Sequence, residues 1–344
     1  MKNNKYLSLW LMFFYLLPTL SGIFGENTFA QIGKVDRENS SDLFLESGLK
    51  TENIAKRFGK GPRIRELGSN IYSISELTFR QSRIYVGAKR GLFVTDDDGQ
   101  TWTKMAIDKE SKAVFAVVVN PADDNILFAG NREGLWKSED GGKVWSRVNI
   151  GLPAGCVPLS IAFSAYSPND AYMGSSHHGV FRSFDGGNSW VPAGAGLPEA
   201  IGGNRITPVK SLLVDPNNGD VAYVATELSG IYKTTDGGKT WQAINVGLPQ
   251  LFMRRTYPPR LAVSLDDPSI IYATIGRSVH SHLVRTYMYR SANMGKSWQI
   301  VETEFPPNIT VLSLRVDPTD SSIVYVRSMQ GDFRVSTKAS LTNK

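Results

Sequence analysis

The octapeptide SFDGGNSW at residues 183–190 recurs, little changed, along the chain: TDDDGQTW at 95–102, SEDGGKVW at 138–145, TTDGGKTW at 234–241 and SANMGKSW at 291–298. Its tryptophans, Trp102, Trp145, Trp190, Trp241 and Trp298, follow one another at intervals of 43, 45, 51 and 57 residues. Repeats in the forties with aromatic punctuation are the mark of β-propeller blades, small sheets that bury their faces only by stacking on one another.

The sequence around each copy fits that reading. In the fourth unit, VKSLLVD turns through Pro216-Asn217-Asn218-Gly219 into VAYVATE, Ser229-Gly230 leads to IYKTT, and TWQAINV closes the unit. These are four short runs rich in Val, Ile, Tyr and Thr, broken by Pro, Asn, Gly and Asp, and no 3.6-residue period fits them. Complete units begin near Ile71, Val114, Leu159, Val209 and Leu261, and a sixth at 310–336 stops before its fourth strand. The expectation is an all-β fold, a β-propeller of four-stranded antiparallel blades over residues 62–344, six blades with seven as the alternative. An open ring would leave a sheet edge bare. An N-terminal strand is therefore expected to complete the last blade, with PRIREL (62–67) the candidate, whereas SGLKTENIAKRFGKG (47–61) reads as helical or irregular.

A chain of 344 residues, 41% hydrophobic and 20% charged, has ample material for a core. At its start Lys2 and Lys5 precede an apolar run from Leu7 to Leu20, and the small residues Thr28 and Ala30 end a more polar stretch. Residues 1–30 thus read as a secretory signal peptide and 31–61 as an N-terminal extension, giving an exported protein, periplasmic or extracellular. No later segment is long and apolar enough to span a bilayer. Cys156 stands alone, which excludes an internal disulfide and leaves stability to the core; it reads as a small buried apolar residue. The net charge of +6 and pI near 9.2 suit acidic polymers or proteins rather than nucleic acid.

The octapeptide has a mechanical reading. It lies at the hairpin between the third and fourth strands, where a hydroxyl and a short carboxylate (Ser183 and Asp185) accept backbone N–H bonds and fix the turn. Gly187 supplies a left-handed conformation, and the tryptophan packs between neighbouring blades. The pattern resembles the Asp box, or BNR repeat, of sialidases, and similar boxes occur in xyloglucan-cleaving glycoside hydrolases, sortilin-type receptors and the photosystem II assembly factor family. The resemblance covers the chain from about Gly68. It implies the fold and a structural role for Asp97 and Trp102, Asp140 and Trp145, Asp185 and Trp190, Asp236 and Trp241, and Asn293 and Trp298. An active site is needed once, whereas a turn is needed in every blade. Asn293, in place of an aspartate, suits a turn better than a metal site.

If these hairpins occupy one face, the loops between second and third strands and those between blades occupy the other. That second face collects basic residues. An insertion at 276–286 carries Arg277, His280, His282 and Arg285, and the inter-blade loops carry Arg205, Arg254, Arg255, Tyr257 and Arg260. Lys89, Arg90, Arg132, His177 and His178 belong there too. Such a face fits an anionic partner, an acidic protein or an acidic glycan. The histidine pairs lack a fixed carboxylate partner, so neither a metal nor any other cofactor is expected. The chain thus reads as a binding or assembly scaffold, its oligomeric state open.

A glycoside hydrolase is the alternative. The sialidase resemblance would require an arginine triad, a Tyr/Glu nucleophile pair and an Arg-Ile-Pro-type motif; PRIRE (62–66) lacks the proline, and only Arg205 and Arg260 could stand in for triad members. Glu133 and Glu227 are the acids that fall near the centre, where paired carboxylates would have to face each other. The absence of these motifs leans the reading away from catalysis.

Overall fold

The computed structural model describes residues 52–53, 67, 71–76, 83–97, 99–108, 112–165, 167–199, 206–249, 259–280 and 283–337, with strand positions alone for 52–53, 76, 277–280 and 283. The segment read as a signal peptide (1–30) and, apart from Glu52 and Asn53, the segment read as an extension (31–61) lie outside them, as do Arg205, Arg254, Arg255, Tyr257 and His282. All strands belong to the compact unit Leu49–Lys344.

After a short strand β1 (Glu52–Asn53), the first blade is β2 (Ile71–Glu76), β3 (Ile84–Ala88), β4 (Gly91–Thr95) and β5 (Thr103–Met105). The second is β6 (Val114–Asn120), β7 (Asp123–Asn131), β8 (Gly134–Ser138) and β9 (Ser146–Val148). The third is β10 (Pro158–Phe163), β11 (Ala171–Ser175), β12 (Val180–Ser183) and β13 (Val191–Pro192). The fourth is β14 (Val209–Asp215), β15 (Asn218–Thr226), β16 (Ile231–Thr234) and β17 (Gln242–Ala243). The fifth is β18 (Arg260–Val263), β19 (Ile271–His280), β20 (Leu283–Ser291) and β21 (Gln299–Val301). The last contains β22 (Val311–Val316), β23 (Ile323–Ser328) and β24 (Gly331–Ser336).

Each blade is an antiparallel four-stranded meander, and the innermost strands neighbour one another in the order β2, β6, β10, β14, β18, β22 and back to β2. The fold is a six-bladed β-propeller. Its ring is closed by an N-terminal strand, but not by the segment that the sequence suggested. β1 supplies the fourth strand of the last blade, with Glu52 opposite Arg334 and Asn53 opposite Phe333. This strand lies inside the stretch read as helical or irregular; of PRIREL only Leu67, a buried residue in a 3₁₀ turn, is described.

The core runs between blades. The second strands carry a buried aromatic at equivalent positions, Tyr85, Phe128, Tyr172, Tyr223 and Tyr272, each fully shielded from solvent. Two of these hydroxyls reach the following blade: Tyr172 donates to the Gly219 carbonyl and Tyr272 to the Ser321 carbonyl, both at 2.8 Å. Cys156 is buried beside Trp190 and Phe128, and burial pushes its thiol up to about 11.

Candidate functional site

The box hairpins are closed hydrogen-bond units. In the third blade Ser183 Oγ donates to Asp185 Oδ1 at 2.8 Å and accepts the Gly187 N–H at 2.8 Å. Asp185 Oδ1 accepts the N–H groups of Asn188 and Ser189 at 3.0 and 2.9 Å, and Oδ2 accepts the Ser189 hydroxyl at 2.6 Å. The same bonds hold Asp97 and Asp236, led by the Thr101 and Thr240 hydroxyls, and lower both carboxyls to about 2. In the fifth blade Asn293 reproduces the network with one bond reversed: its amide donates to Ser297 Oγ at 2.8 Å where an aspartate accepts. Trp190, Trp241 and Trp298 are buried, the last two donating to Ala193 and Ile244 carbonyls of the preceding blade, while Trp102 and Trp145 are half-buried. The box carboxylates and hydroxyls are thus spent on the turn itself, and the Trp102 indole N–H of the first box is buried without a partner.

A motif that the sequence reading passed over completes this packing. Gly151-Leu152-Pro153, Gly196-Leu197-Pro198 and Gly247-Leu248-Pro249 each follow an outer strand, and the residue before each glycine accepts the N–H of the next blade's box tryptophan at 2.9–3.1 Å. The thrice-repeated Gly-Leu-Pro was the signal that could have shown it.

The meander fixes which loops share a face. Turns between first and second strands lie with the boxes; turns between second and third strands lie on the opposite face with the inter-blade connections. On that opposite face Lys89, Arg90, Arg132 and Arg285 are exposed, as are His177 and His178. Two of its acids are engaged: Glu133 accepts from Lys112 at 2.8 Å, and Glu227 lies 3.4 Å from the Lys210 ammonium. Lys112 holds the Glu133 carboxyl below its ordinary range, the reverse of what a general acid in glycoside hydrolysis requires. The insertion read as a loop is an extended hairpin, β19 and β20 running on to His280 and Leu283, with Arg277 directly opposite Arg285 and His280 opposite Leu283. Of the predicted site residues this hairpin joins three, while Arg260 belongs to the centre of the ring.

That centre is a cavity of about 190 Å³ lined by all six innermost strands. Inner-strand serines staple neighbouring blades there. Ser73 bonds both backbone groups of Val117, Ser160 donates to the Val209 carbonyl at 3.1 Å, and Ser211 accepts the Leu261 N–H at 3.3 Å. Arg260 opens β18 and so stands at the end of the channel that meets the basic face. Its guanidinium spans the channel, donating from Nη2 to the Tyr72 carbonyl at 2.9 Å and from Nη1 to the Lys210 carbonyl at 3.4 Å. Its Nε is buried without a partner, and burial with nothing to offset it lowers its pKa to about 10. Among the described residues no carboxylate pairs with it, and none is among the residues that line the cavity.

Comparison with known proteins agrees with this architecture. Residues 66–211 match the family described as photosynthesis system II assembly factor YCF48, and residues 232–243 match the BNR/Asp-box repeat. No curated protein matches the chain. In fold the chain is similar to an ancestral GH74 enzyme, at 22% identity and a TM-score of 0.59, over 75% of this chain and 34% of that one. It is similar to the GH74 xyloglucanase from Xanthomonas campestris, at 19% identity and 0.58, over 77% and 44%. It is also similar to a chain of the COPII outer coat vertex on membranes, at 15% identity and 0.55, over 78% and 70%. The chain thus spans under half the length of both GH74 proteins, and these likenesses show the fold alone. Five boxes at blade spacing, a closed ring of six four-stranded sheets and both family matches make the chain a member of the Asp-box, or BNR-repeat, β-propeller superfamily.

Proposed function

We propose that the chain is a non-catalytic binding or assembly propeller whose face opposite the boxes receives an anionic partner, an acidic protein or an acidic glycan. The observation that carries the reading is a set of exposed cations. Lys89, Arg90, Arg132 and Arg285 are exposed on that face, whereas Glu133 and Glu227 are committed to Lys112 and Lys210. A cluster of exposed cations attracts and orients an anionic surface. The partial match to a family of assembly factors supports a scaffold rather than a catalyst. Arg205, Arg254, Arg255, Tyr257 and His282 are assigned to the same face by their loops, with Arg277, His280 and Arg285 on the fifth-blade hairpin. We assign residues 1–30 as the export signal, residues 31–61 as an extension that also supplies the closing strand β1, and residues 62–344 as the body of a single propeller domain, working in the periplasm or outside the cell. No helix among the described residues is long and apolar enough to cross a membrane.

The test is retention on immobilised polyglutamate and on immobilised polygalacturonate, for the wild type and for the Arg254→Ala/Arg255→Ala/Arg277→Ala variant. The wild type should be retained by at least one matrix at low salt and released as salt screens the charges. The variant should elute earlier. Equal elution of the two proteins would remove the basic face from the account.

A further inference from the structure

The six innermost strands share one equivalent position, two residues along from the second strand's aromatic in the cross-strand register, and in five of the blades it lines the channel. Ser73 lies opposite Gly87, Ala116 opposite Gly130, Ser160 opposite Gly174, Ser211 opposite Ala225 and Ser313 opposite Arg327. In the fifth blade the place opposite Thr274 is taken by Arg260. Five positions are small and one carries the largest cation available. In a repeat fold, a single departure at a position where every other copy agrees is where a specific task is added.

The environment of Arg260 defines that task. A guanidinium carries five N–H donors in a planar fork, and here two go to carbonyl groups, one of them at the long distance of 3.4 Å. Among the described residues Nε has no acceptor and no carboxylate stands against the charge, and the Thr274 hydroxyl in the opposing position is buried and unpartnered as well. Enclosing a cation without a counter-charge is costly, and proteins that keep such a group have something to set against it. With its pKa near 10 the group is still charged at neutral pH.

We infer that Arg260 is the anchor of a binding site for a short aliphatic carboxylate at the mouth of the central channel. Arg260 is the group that matches a carboxylate fork to fork, and the Ser211 and Ser313 hydroxyls, whose protons are not spent on the blade staples, stand on the two neighbouring inner strands as further donors. Ile74, Leu212 and Leu312 add a small aliphatic share to a lining that is mainly polar, enough for a tail of a few carbons. The volume sets the size: about 190 Å³ holds roughly six waters and falls short of the ~300 Å³ at which drug-sized pockets begin. A sugar chain is too large for it, whereas an acid of a few carbons is not. The site is separate from the loop-face reading, and its test needs no macromolecular partner, so either can fail alone.

The experiment is ligand-observed NMR and calorimetry of the full chain with butyrate, against butyramide as the neutral isostere and sulfate as a plain anion at matched ionic strength. The wild type should bind butyrate saturably, with butyramide and sulfate each about tenfold weaker or worse, since charge-assisted hydrogen bonds carry the recognition. Arg260→Gln should lose about the same factor. Arg260→Lys, which keeps the charge without the fork, should fold and also bind about tenfold more weakly. The inference is overturned if the wild type does not bind butyrate, if butyramide or sulfate binds as well as butyrate, or if Arg260→Lys binds butyrate like the wild type.

Discussion

Two arginines in two regions of the ring lose hydration and are answered differently. Arg182, beside the third box, is buried, forks onto Asp170 at 2.8 and 2.5 Å, reaches Asp220 of the next blade at 2.7 Å and lies over the rings of Tyr172 and Phe184. Burial works against its charge, but the hydrogen bonds to Asp170 and Asp220 outweigh it and its pKa rises above the ordinary arginine value. Arg260, half-buried with its Nε enclosed, meets carbonyl oxygens alone among the described residues, and its pKa falls. The box side of the propeller spends its polar groups on itself; the channel mouth leaves one strong donor group unanswered. Structure is encoded where the repeats agree, and specificity where one of them departs.

The largest effect should come from breaking the answered side. Arg182→Met leaves Asp170 buried without its partner and is expected to cost about 3–5 kcal/mol in urea unfolding. A much smaller loss would mean that the blade-to-blade ion pair is not what secures the box face.

The paired box glycines sharpen the same point at lower cost. Gly187 has φ 85° and a Cβ there would come within 2.5 Å of the Phe128 ring in the preceding blade, so Gly187→Ala should cost about 2–4 kcal/mol. Its neighbour Gly186 also has positive φ, 70°, but a Cβ would meet only Asn169 Oδ1 at 3.5 Å, and Gly186→Ala should cost about 1–2 kcal/mol. Equal melting temperatures for the two variants would show that blade contact adds nothing to the turn.

The smallest effect is acid-dependent. The carboxyls of Asp97 and Asp236 are depressed to about 2 by their box hydrogen bonds, below the ordinary 3.8. Their contribution to stability is complete above about pH 4 and is lost as the pH falls through about 2. Asp236→Asn gives the fourth box the amide that the fifth already carries at Asn293. It should therefore flatten the fall of melting temperature between pH 4 and pH 2 while changing little at pH 7. An unchanged acid limb would separate the boxes from acid stability.

What was legible in the chain follows from range. The box writes its turn within eight residues, so Asp185, Gly187 and Trp190 could be read from SFDGGNSW, and Asn293 could be read as its tolerant substitute. Blade number followed from spacing. The closing strand did not, because Glu52 and Asn53 carry no β pattern of their own; ring closure places them against Arg334 and Phe333. Arg260 was visible as an arginine near an inner strand, but its singularity needs the cross-strand register, which places it where Ser73, Ser160, Ser211 and Ser313 stand. The insertion at 276–286 looked like a loop because its Arg, Ser and His residues read as polar; the long pairing of β19 with β20 holds it as a hairpin.

The most direct test of the account is urea unfolding of ligand-free Arg260→Met measured beside Arg182→Met. Arg260 has no buried carboxylate to strand, and removing an uncompensated buried charge returns its desolvation cost. Arg260→Met should therefore lie within about 1 kcal/mol of the wild type, while Arg182→Met loses about 3–5 kcal/mol. If Arg260→Met loses as much as Arg182→Met, Arg260 is a strut that ties the ring through Tyr72 and Lys210, and the channel mouth is structure rather than site.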